Sequence, residues 1–335
     1  MPLLPCNQAP DELLSLFNTD KESILARCYE PEPGLFIAES AKVTFRALNG
    51  GYEIIAMLIE DTQMNQEAQE LISRLPDIPV YYAPSQQFRE ISGYPMTRGV
   101  LSLFRRKYRS RPDTHETLAL HPVFRNPNSR GSIRDTDSSE ESLFQGQLTD
   151  TNSHSPEKSL FERPFSKGFL SPTIEEFLLS LTPAASQRFA VLEEVANPAN
   201  IGSIFRNAAA LGIDAVLLTK GCCDPLARRC LRVSMGCVFQ VPWCMTGLTG
   251  AQIAGTLRTQ GIHTAAMALS DDSVSITDPV LKTAPRLAIF LGNEGNGLPE
   301  ETIRACDSVV RIPMRDGVDS LNVAAASAVA FWELR

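Results

Sequence analysis

The sequence predicts an α/β protein whose C-terminal half is a parallel sheet covered by helices, preceded by a smaller α/β domain. Strand-like apolar runs alternate with helical patterns, the order that produces parallel sheets. Loops rich in glycine and polar residues follow or join such runs at 197–212, 291–299 and 312–328. Because the carboxyl ends of parallel strands meet at one edge of a sheet, we expect these loops to gather there, where α/β proteins bind ligands.

The N-terminal region, residues 1–107, contains a short series of alternating elements between 35 and 106. The predicted strands are LFIA, EIIAMLIE, IPVYYA and VLSLF, and the predicted helices are SAKVTFRALNG, QEAQELISRL and SQQFREISG. A stretch of about 70 to 100 residues is a normal size for a small domain. The region carries no catalytic pattern of its own.

Residues 108–170 differ in composition from the regions on either side. Ser, Asn, Asp, Thr and Pro dominate, and apolar residues are scattered without a period. Such a segment buries too little apolar surface to offset chain entropy, so we expect a disordered, protease-sensitive linker. His115, His121 and His154 fall inside it, which leaves His263 in the C-terminal region. Histidine general-base chemistry is therefore not favoured.

The C-terminal region, residues 171–335, resumes a regular alternation. The predicted strands are FAVLEEV, IDAVLLT, VFQVPW, IHTAAMAL, RLAIFLG and SVVRIPM. The predicted helices are IGSIFRNAAALG, DPLARRCLRVSMG, AQIAGTLRTQG, PEETIRAC and NVAAASAVAFWEL. This order predicts a doubly wound domain with helices on both faces of the sheet.

Composition limits the classes of function. The chain has 335 residues, enough for about two domains. With no apolar stretch near the ~18 residues that span a bilayer and no export-signal pattern, we expect a cytoplasmic protein without a membrane partner. A net charge of −8 counts against nucleic-acid binding, which normally leaves a basic footprint. The local basic cluster RRKYRSR is either a solvated linker edge or an RNA contact; its candidate residues are Arg105, Arg106, Lys107 and Arg109.

Four cysteines recur every seven residues, at Cys223, Cys230, Cys237 and Cys244. No C-x-x-C pair or nearby histidine gives them the spacing of metal ligands. We therefore expect small buried side chains in a reduced state, and no metal site.

In the first loop, Asn200 precedes apolar residues at helical spacing and is predicted to cap that helix, which Gly212 would close. Arg206 then lies on the second turn, off the apolar stripe. For this loop alone, the favoured interpretation is that the asparagines shape a turn and Arg206 makes a surface ion pair.

The second and third loops are also weak signals when each is taken alone. The second loop is G-x-x-G-x-G, neither a dinucleotide fingerprint nor a phosphate-cradling loop, and Glu294 is its one ionisable group. In the third loop, Ser320 or Asn322 is predicted to cap the last helix, whose alanines serve close packing.

Taken together and in this order, the loops resemble the SpoU (TrmH-like) family of S-adenosylmethionine-dependent RNA 2′-O-ribose methyltransferases, within the SPOUT superfamily. The matching motifs are N-P-x-N-I-G-x-x-x-R at 197–206, G-N-E-G-x-G-L at 292–298, I-P-M at 312–314 and S-L-N-V-A at 320–324. The resemblance covers 189–335 closely. Residues 35–106 look like the small ribosomal-protein-like RNA-binding domain that many members carry, whereas 108–169 has no counterpart in the usual pattern.

The resemblance implies a deep C-terminal trefoil knot, a homodimer whose site includes both subunits, and S-adenosylmethionine as cofactor. The cofactor should rest against main chain at Leu291, Gly292, Ile312, Met314 and Leu321, with Ala268 and Leu269 as weaker additions. Arg206 would act on the ribose 2′-hydroxyl; the residues that order it, the substrate phosphate and the cofactor loop would be Asn200, Glu294, Ser320 and Asn322. Because a guanidinium keeps its proton in ordinary settings, we hypothesise that Arg206 positions the hydroxyl at least as much as it takes a proton.

Several alternatives remain open. Other SPOUT branches methylate base nitrogens, although the S-L-N form of the third loop and the N-x-x-N-I-G-x-x-x-R helix favour ribose. A silent RNA-binding or ribosome-assembly protein is a second possibility, against which the intact site residues argue. A Rossmann oxidoreductase is disfavoured by the absence of G-x-G-x-x-G. Ribosomal RNA is favoured over transfer RNA as substrate, and the sequence does not specify the nucleotide.

Overall fold

A computed structural model describes residues 3–18, 34–96, 98–106, 173–270, 272–318 and 320–335. The predicted linker at 108–170 lies outside the described residues, as do Lys107, Arg109 and the three histidines of that segment. None of the helices in the described ranges is both long and apolar enough to cross a membrane.

The N-terminal domain, residues 3–106, is built on a mixed five-stranded sheet in the order β1-β4-β3-β5-β2. The strands are β1 (Leu4–Pro5), β2 (Leu35–Glu39), β3 (Ile54–Glu60), β4 (Val80–Ala83) and β5 (Val100–Arg105). The helices are α1 (Asp11–Leu16), α2 (Ala41–Asn49), α3 (Gln66–Ser73) and α4 (Ser85–Ser92). The pairs β1/β4 and β3/β4 are parallel, and β5 runs antiparallel to both β2 and β3. Every element predicted between 35 and 106 is present, whereas β1 and α1 were not predicted.

The C-terminal domain, residues 173–335, contains a seven-stranded sheet in the order β10-β12-β9-β11-β6-β7-β8. Its strands are β6 (Gln187–Leu192), β7 (Ala215–Thr219), β8 (Trp243–Thr246), β9 (His263–Met267), β10 (Val274–Ser275), β11 (Arg286–Leu291) and β12 (Ser308–Arg311). Every pairing in this sheet is parallel. The predicted α/β class with a parallel C-terminal sheet is therefore confirmed.

Helices cover this sheet on both faces, and two separate groups of buried apolar side chains fill the space beneath them. The helices are α5 (Ile174–Ser180), α6 (Pro198–Leu211), α7 (Arg228–Val233), α8 (Gly250–Thr259), α9 (Pro279–Thr283), α10 (Glu300–Ala305) and α11 (Val323–Glu333). The sequence predicted neither α5, α9 nor the short strand β10.

Asn200 does not cap α6 as predicted. The helix begins at Pro198, and the Asn197 side chain accepts a hydrogen bond from the Ala199 amide at 2.9 Å. Proline is favoured at the first helical position because its fixed φ suits the helix and it has no amide to leave unpaired. Asn200 consequently lies inside the first turn, while Gly212 ends the helix at φ 79°, as predicted.

Two predicted elements between 224 and 243 are wrong in type or extent. The run VFQVPW forms a 3₁₀ helix at Cys237–Phe239, and the strand starts only at Trp243. Val238 and Val241 are both buried at a spacing of three, which suits a 3₁₀ turn rather than an alternating strand. The helix predicted over 224–236 is shortened to α7, because the Asp224 carboxylate accepts from the Leu226 amide at 2.9 Å and forms a turn before it.

The N-terminal and C-terminal domains pack directly on each other within one compact unit. Phe36 contacts both Tyr52 and Phe239, with ring centroids 5.2 and 5.8 Å away, and those two rings also contact each other. Arg46 of α2 donates to the Met235 carbonyl at 2.7 Å, across the same contact. Buried apolar side chains from both domains therefore form one continuous core.

The periodic cysteines serve packing. Cys230, Cys237 and Cys244 are buried, Cys223 is half-buried, and no disulfide joins any two of the four. Burial raises the pKa of Cys244 to about 11, which keeps this thiol protonated and unreactive at neutral pH. Among the described residues, no group of His, Cys, Asp and Glu side chains is arranged to hold a metal ion.

Candidate active site

The loops singled out in the sequence gather at one edge of the parallel sheet. The first follows β6, the second follows β11 and the third follows β12. Strands β6 and β11 are neighbours, and β12 is separated from β11 only by β9. Because the sheet is entirely parallel, these carboxyl ends face the same side, which confirms the predicted clustering.

A chain of side-chain hydrogen bonds joins the three loops. The Asn200 amide nitrogen of the first loop donates to the Glu294 carboxylate of the second. Asn322 of the third loop donates through Nδ2 to Asn200 Oδ1 at 3.3 Å. The Oδ1 atom of Asn322 also accepts from the Ala324 amide at 2.9 Å and caps α11, as predicted. Asn200 is therefore the central member of the cluster, and its side-chain amide both donates and accepts within it.

Arg206 lies on the same helix as Asn200 but differs from it in exposure. Asn200 is 8% exposed, whereas Arg206 is open to solvent. Among the residues that the structure describes, none accepts a hydrogen bond or an ion pair from the Arg206 guanidinium. The surface ion pair that the first loop alone suggested is absent from this part of the chain, and five N–H donors remain available to a ligand.

The second loop is a tight turn closed by its own main chain. Asn293 and Gly297 exchange amide-to-carbonyl hydrogen bonds of 3.1 and 3.0 Å. Gly292 must be glycine, because a Cβ there would lie 2.3 Å from the Gly297 carbonyl carbon. The Asn293 side chain accepts from the Gly295 amide at 2.6 Å and donates to the Glu194 carbonyl at 3.0 Å. This closure fixes the position of Glu294 beside Asn200.

The sequence did not identify Asn293 or Asn207 as members of the site region. Asn207, next to Arg206, donates to the Ala324 carbonyl at 2.9 Å and to Ser327 Oγ at 3.0 Å, which fastens α6 to α11. Ser327 is the one hydroxyl within an alanine run, and that interruption was a usable signal. Asn293 sits in a glycine-rich turn, where asparagine commonly bonds nearby backbone.

Several of the positions expected to hold the cofactor have main-chain groups without partners. No hydrogen bond from the described residues reaches the amide or carbonyl of Ile312, Met314 or Leu321. In contrast, the Leu291 carbonyl accepts from the Glu193 amide at 3.0 Å, and the Ala268 amide donates to the Val310 carbonyl at 3.1 Å. The third loop therefore offers the freest main-chain donors and acceptors.

Apolar surface accompanies these main-chain groups. Leu269 is 58% exposed and Leu321 is 40% exposed, whereas Ile312 and Met314 are half-buried. Gly292 directly follows β11 and presents backbone alone. These residues suit a ligand with a flat apolar part and a polar rim.

The remaining predicted residues have different surroundings. Ser320 is exposed and makes no hydrogen bond within the described ranges. Arg105 and Arg106 have side chains only 13% and 14% exposed, and they pair with Glu53 at 3.5 Å and Asp224 at 2.6 Å. RNA contact by these two arginines stays a prediction, and in this structure both guanidinium groups are largely buried in internal ion pairs.

Residues 187–332 match the model of the SpoU rRNA Methylase family. This region is a SpoU methylase domain. The chain is 42% identical over 151 residues to an uncharacterized tRNA/rRNA methyltransferase of Mycobacterium bovis, covering 45% of this chain and 52% of the relative. It is also 36% identical over 148 residues to the 23S rRNA (guanosine-2′-O-)-methyltransferase RlmB of Vibrio parahaemolyticus, covering 43% of this chain and 56% of that protein. The chain thus spans about half the length of the curated relatives it matches.

Solved structures resemble the whole fold, beyond the SpoU domain. An AdoMet-bound rRNA methyltransferase from Sinorhizobium meliloti has a TM-score of 0.64 at 20% identity, covering 99% of this chain and 96% of that one. The SpoU methyltransferase AviRb from Streptomyces viridochromogenes, in complex with AdoMet, has a TM-score of 0.62 at 16% identity, covering 94% and 96%. At such identities the likeness concerns the fold.

Proposed function

We propose that this protein transfers the methyl group of S-adenosylmethionine to a ribose 2′-hydroxyl of structured RNA, with ribosomal RNA favoured over transfer RNA. The observation that carries the proposal is the Glu294–Asn200–Asn322 hydrogen-bond chain. Its central residue shares a helix with the exposed Arg206, whose guanidinium has no partner among the described residues. Membership in the SpoU methylase family and the 2′-O-methyltransferase activity named for one relative support the same reaction.

Methyl transfer from a sulfonium to a hydroxyl requires little of the protein beyond aligning the two reacting groups. When bound, S-adenosylmethionine supplies an activated methyl group on a sulfonium with a neutral thioether as leaving group. The protein must hold the ribose hydroxyl in line with that methyl and assist loss of its proton. Arg206 is suited to holding the hydroxyl and a neighbouring phosphate, because its planar fork of donors can bind both at once. Asn200 and Glu294 keep the helix that carries Arg206 in register with the second loop.

The third loop is suited to hold the cofactor. The main-chain groups of Ile312, Met314 and Leu321, which have no partner among the described residues, would bind its polar edges, and Gly292 would add main chain at the start of the second loop. Leu291 and Ala268 contribute less, because the Leu291 carbonyl and the Ala268 amide each already have a main-chain partner. Recognition by main chain and small side chains requires no charged residue against the cationic sulfonium.

We further propose that the chain forms a homodimer through a knotted C-terminal domain. Large apolar side chains are exposed in the third loop and on α11; they are Val318, Leu321, Val329 and Trp332, at 52%, 40%, 39% and 56%. A second copy would bury them beside the third loop, which would bring residues of both subunits to one site. Light scattering after gel filtration tests this: a monomer at micromolar concentration would contradict the dimer.

The decisive experiment is transfer of labelled methyl from S-adenosylmethionine to total RNA from cells lacking the protein, followed by nucleoside analysis. We expect label in a 2′-O-methylated nucleoside with the wild type and none with Arg206→Ala. Arg304→Ala is the matched control, because Arg304 is an exposed helical arginine of the same domain, and its one ion-pair partner among the described residues is Glu300 of its own helix. Label in a base would indicate base-nitrogen transfer, and cofactor binding without label would indicate a silent RNA binder.

A further inference from the structure

A buried cluster of charges joins the N-terminal domain to the SpoU domain. Glu39 ends β2, and Arg228 begins α7; their side chains are 6% and 3% exposed and form an ion pair. Arg232, one turn further along α7, reaches the other oxygen of Glu39 at 3.3 Å. The Tyr94 hydroxyl donates to Glu39 as well. We call these four residues the interdomain ion cluster.

The cluster has further contacts. Arg228 also donates to the Phe17 carbonyl at 2.9 Å, which ties the end of α1 to α7. Both guanidinium groups lie over the Tyr94 ring, at 5.3 Å for Arg228 and 5.7 Å for Arg232. Burial and the hydrogen bond to Glu39 raise the pKa of Tyr94 to about 12, so its hydroxyl remains a donor at neutral pH. Three separate segments of the N-terminal domain are therefore held to one short helix.

Helix α7 in turn supports the helix that carries the candidate site. Gly202 of α6 lies directly against α7, where a Cβ would be 2.7 Å from the Cys230 carbonyl oxygen. The Cys230 thiol also contacts the Pro198 carbonyl, at 3.2 Å. Asn200 and Arg206 lie on this same helix, on either side of Gly202. A path of direct contacts therefore runs from Glu39 through α7 to α6, the helix that carries Asn200 and Arg206.

Buried ion pairs seldom add stability beyond that of an apolar pair of similar size, but their strict geometry can specify one arrangement. We propose that Glu39 is a positioning residue: through Arg228 and Arg232 it fixes the RNA-presenting N-terminal domain on α7, and thereby aligns bound RNA with Arg206. The inference rests on the proposed function, since it assigns the N-terminal domain the task of presenting RNA. On this proposal, the N-terminal domain is a fixed part of the active site.

The test separates alignment from folding. The variant Glu39→Leu/Arg228→Met removes both buried charges together and replaces them with apolar side chains of similar size, which buried pairs often tolerate. The control Glu70→Ala/Arg74→Ala removes an exposed ion pair of the same domain, with side chains about half exposed. Equilibrium binding of S-adenosylmethionine, equilibrium binding of total RNA and methyl transfer at subsaturating RNA are measured for each.

If Glu39 positions the RNA, both binding constants of the double variant stay within about twofold of wild type, while kcat/KM for RNA falls at least tenfold. The control should match wild type in all measurements. An unchanged kcat/KM in the double variant would overturn the proposal. If the wild type transfers no methyl group, the proposed function fails. Calorimetry then tests separately whether the ion cluster fixes the N-terminal domain on α7. One unfolding transition in wild type and two in the double variant would support domain fixation, and identical profiles would refute it.

Discussion

The site cluster of Asn200, Glu294 and Asn322 and the interdomain ion cluster around Glu39 are both polar, yet they differ in what they leave open. In the ion cluster, the Glu39 carboxylate binds Arg228, Arg232 and Tyr94 within the protein. At the sheet edge, the hydrogen-bond chain is also internal, but Asn200 shares its helix with an exposed guanidinium, that of Arg206. A buried ion cluster sets geometry, whereas an exposed edge with open donors awaits a ligand.

The largest effect should come from breaking the interdomain ion cluster on one side only. Glu39→Ala removes the Glu39 carboxylate from the buried Arg228 guanidinium, so we expect the free energy of unfolding to fall by about 3–5 kcal/mol. Denaturant unfolding followed by circular dichroism measures it. Glu70→Ala, which breaks an exposed pair, should cost under about 1 kcal/mol. Equal losses in the two variants would mean that Glu39 does not sustain the domain contact.

At the open edge, the chemistry of one side chain can be tested without disturbing the fold. Arg206→Lys keeps the positive charge but loses the planar fork, and we expect methyl transfer to fall by about 100-fold with unchanged cofactor affinity. Single-turnover rates with saturating RNA give this number, and Arg304→Lys is the control. Near-normal turnover in Arg206→Lys would exclude bidentate positioning.

The contact between α6 and α7, which links the two clusters, depends on a glycine. Gly202→Ala places a Cβ 2.7 Å from the Cys230 carbonyl oxygen and 2.9 Å from Val233 Cβ, so backbone must shift. We expect a loss of about 1–3 kcal/mol in thermal or denaturant unfolding. Gly255→Ala in α8 is the matched control, since nothing lies within 4 Å of its added Cβ. That variant should gain about 0.5–1 kcal/mol, and a gain in both would contradict the close contact.

The two asparagines of the first loop should separate stability from activity. Asn197→Ala removes the α6 cap and should cost about 1 kcal/mol of unfolding free energy while methyl transfer persists. Asn200→Ala removes the link between Glu294 and Asn322, so activity should fall while the cap remains. Thermal melts and methyl-transfer assays on both variants measure this. If instead Asn200→Ala lowered stability and Asn197→Ala lowered activity, Asn200 would be the helix cap, as the sequence predicted.

The sequence could predict those features whose signals lie within a few neighbouring residues. Strand ends and glycine-rich turns are local, so the meeting of the three loops followed from the parallel sheet alone. Two asparagines three residues apart have the same capping propensity, and only the proline between them distinguished Asn197 from Asn200. The pair Glu39–Arg228 spans 189 positions and has no local pattern, so it needed the structure. For the same reason, the basic cluster at 105 and 106 was read as surface.

A third polar group, around Asp307, is intermediate in exposure. Substituting Asp307 should give the smallest change in the free energy of unfolding. Burial alone would raise the pKa of Asp307, but hydrogen bonds from the Thr264 amide and hydroxyl, with Arg258 at 2.8 Å, hold it below its usual value. A carboxylate with a lowered folded pKa contributes stability at pH values above its unfolded pKa and loses it as pH falls through the folded pKa. The denaturant midpoints of wild type and Asp307→Asn are measured at neutral pH and at a pH below the ordinary aspartate pKa. The two midpoints should therefore differ at neutral pH and converge in acid. A difference in midpoint that persists or widens in acid would mean that Asp307 stabilises the strand ends through shape alone, unlike the charged groups of the interdomain ion cluster.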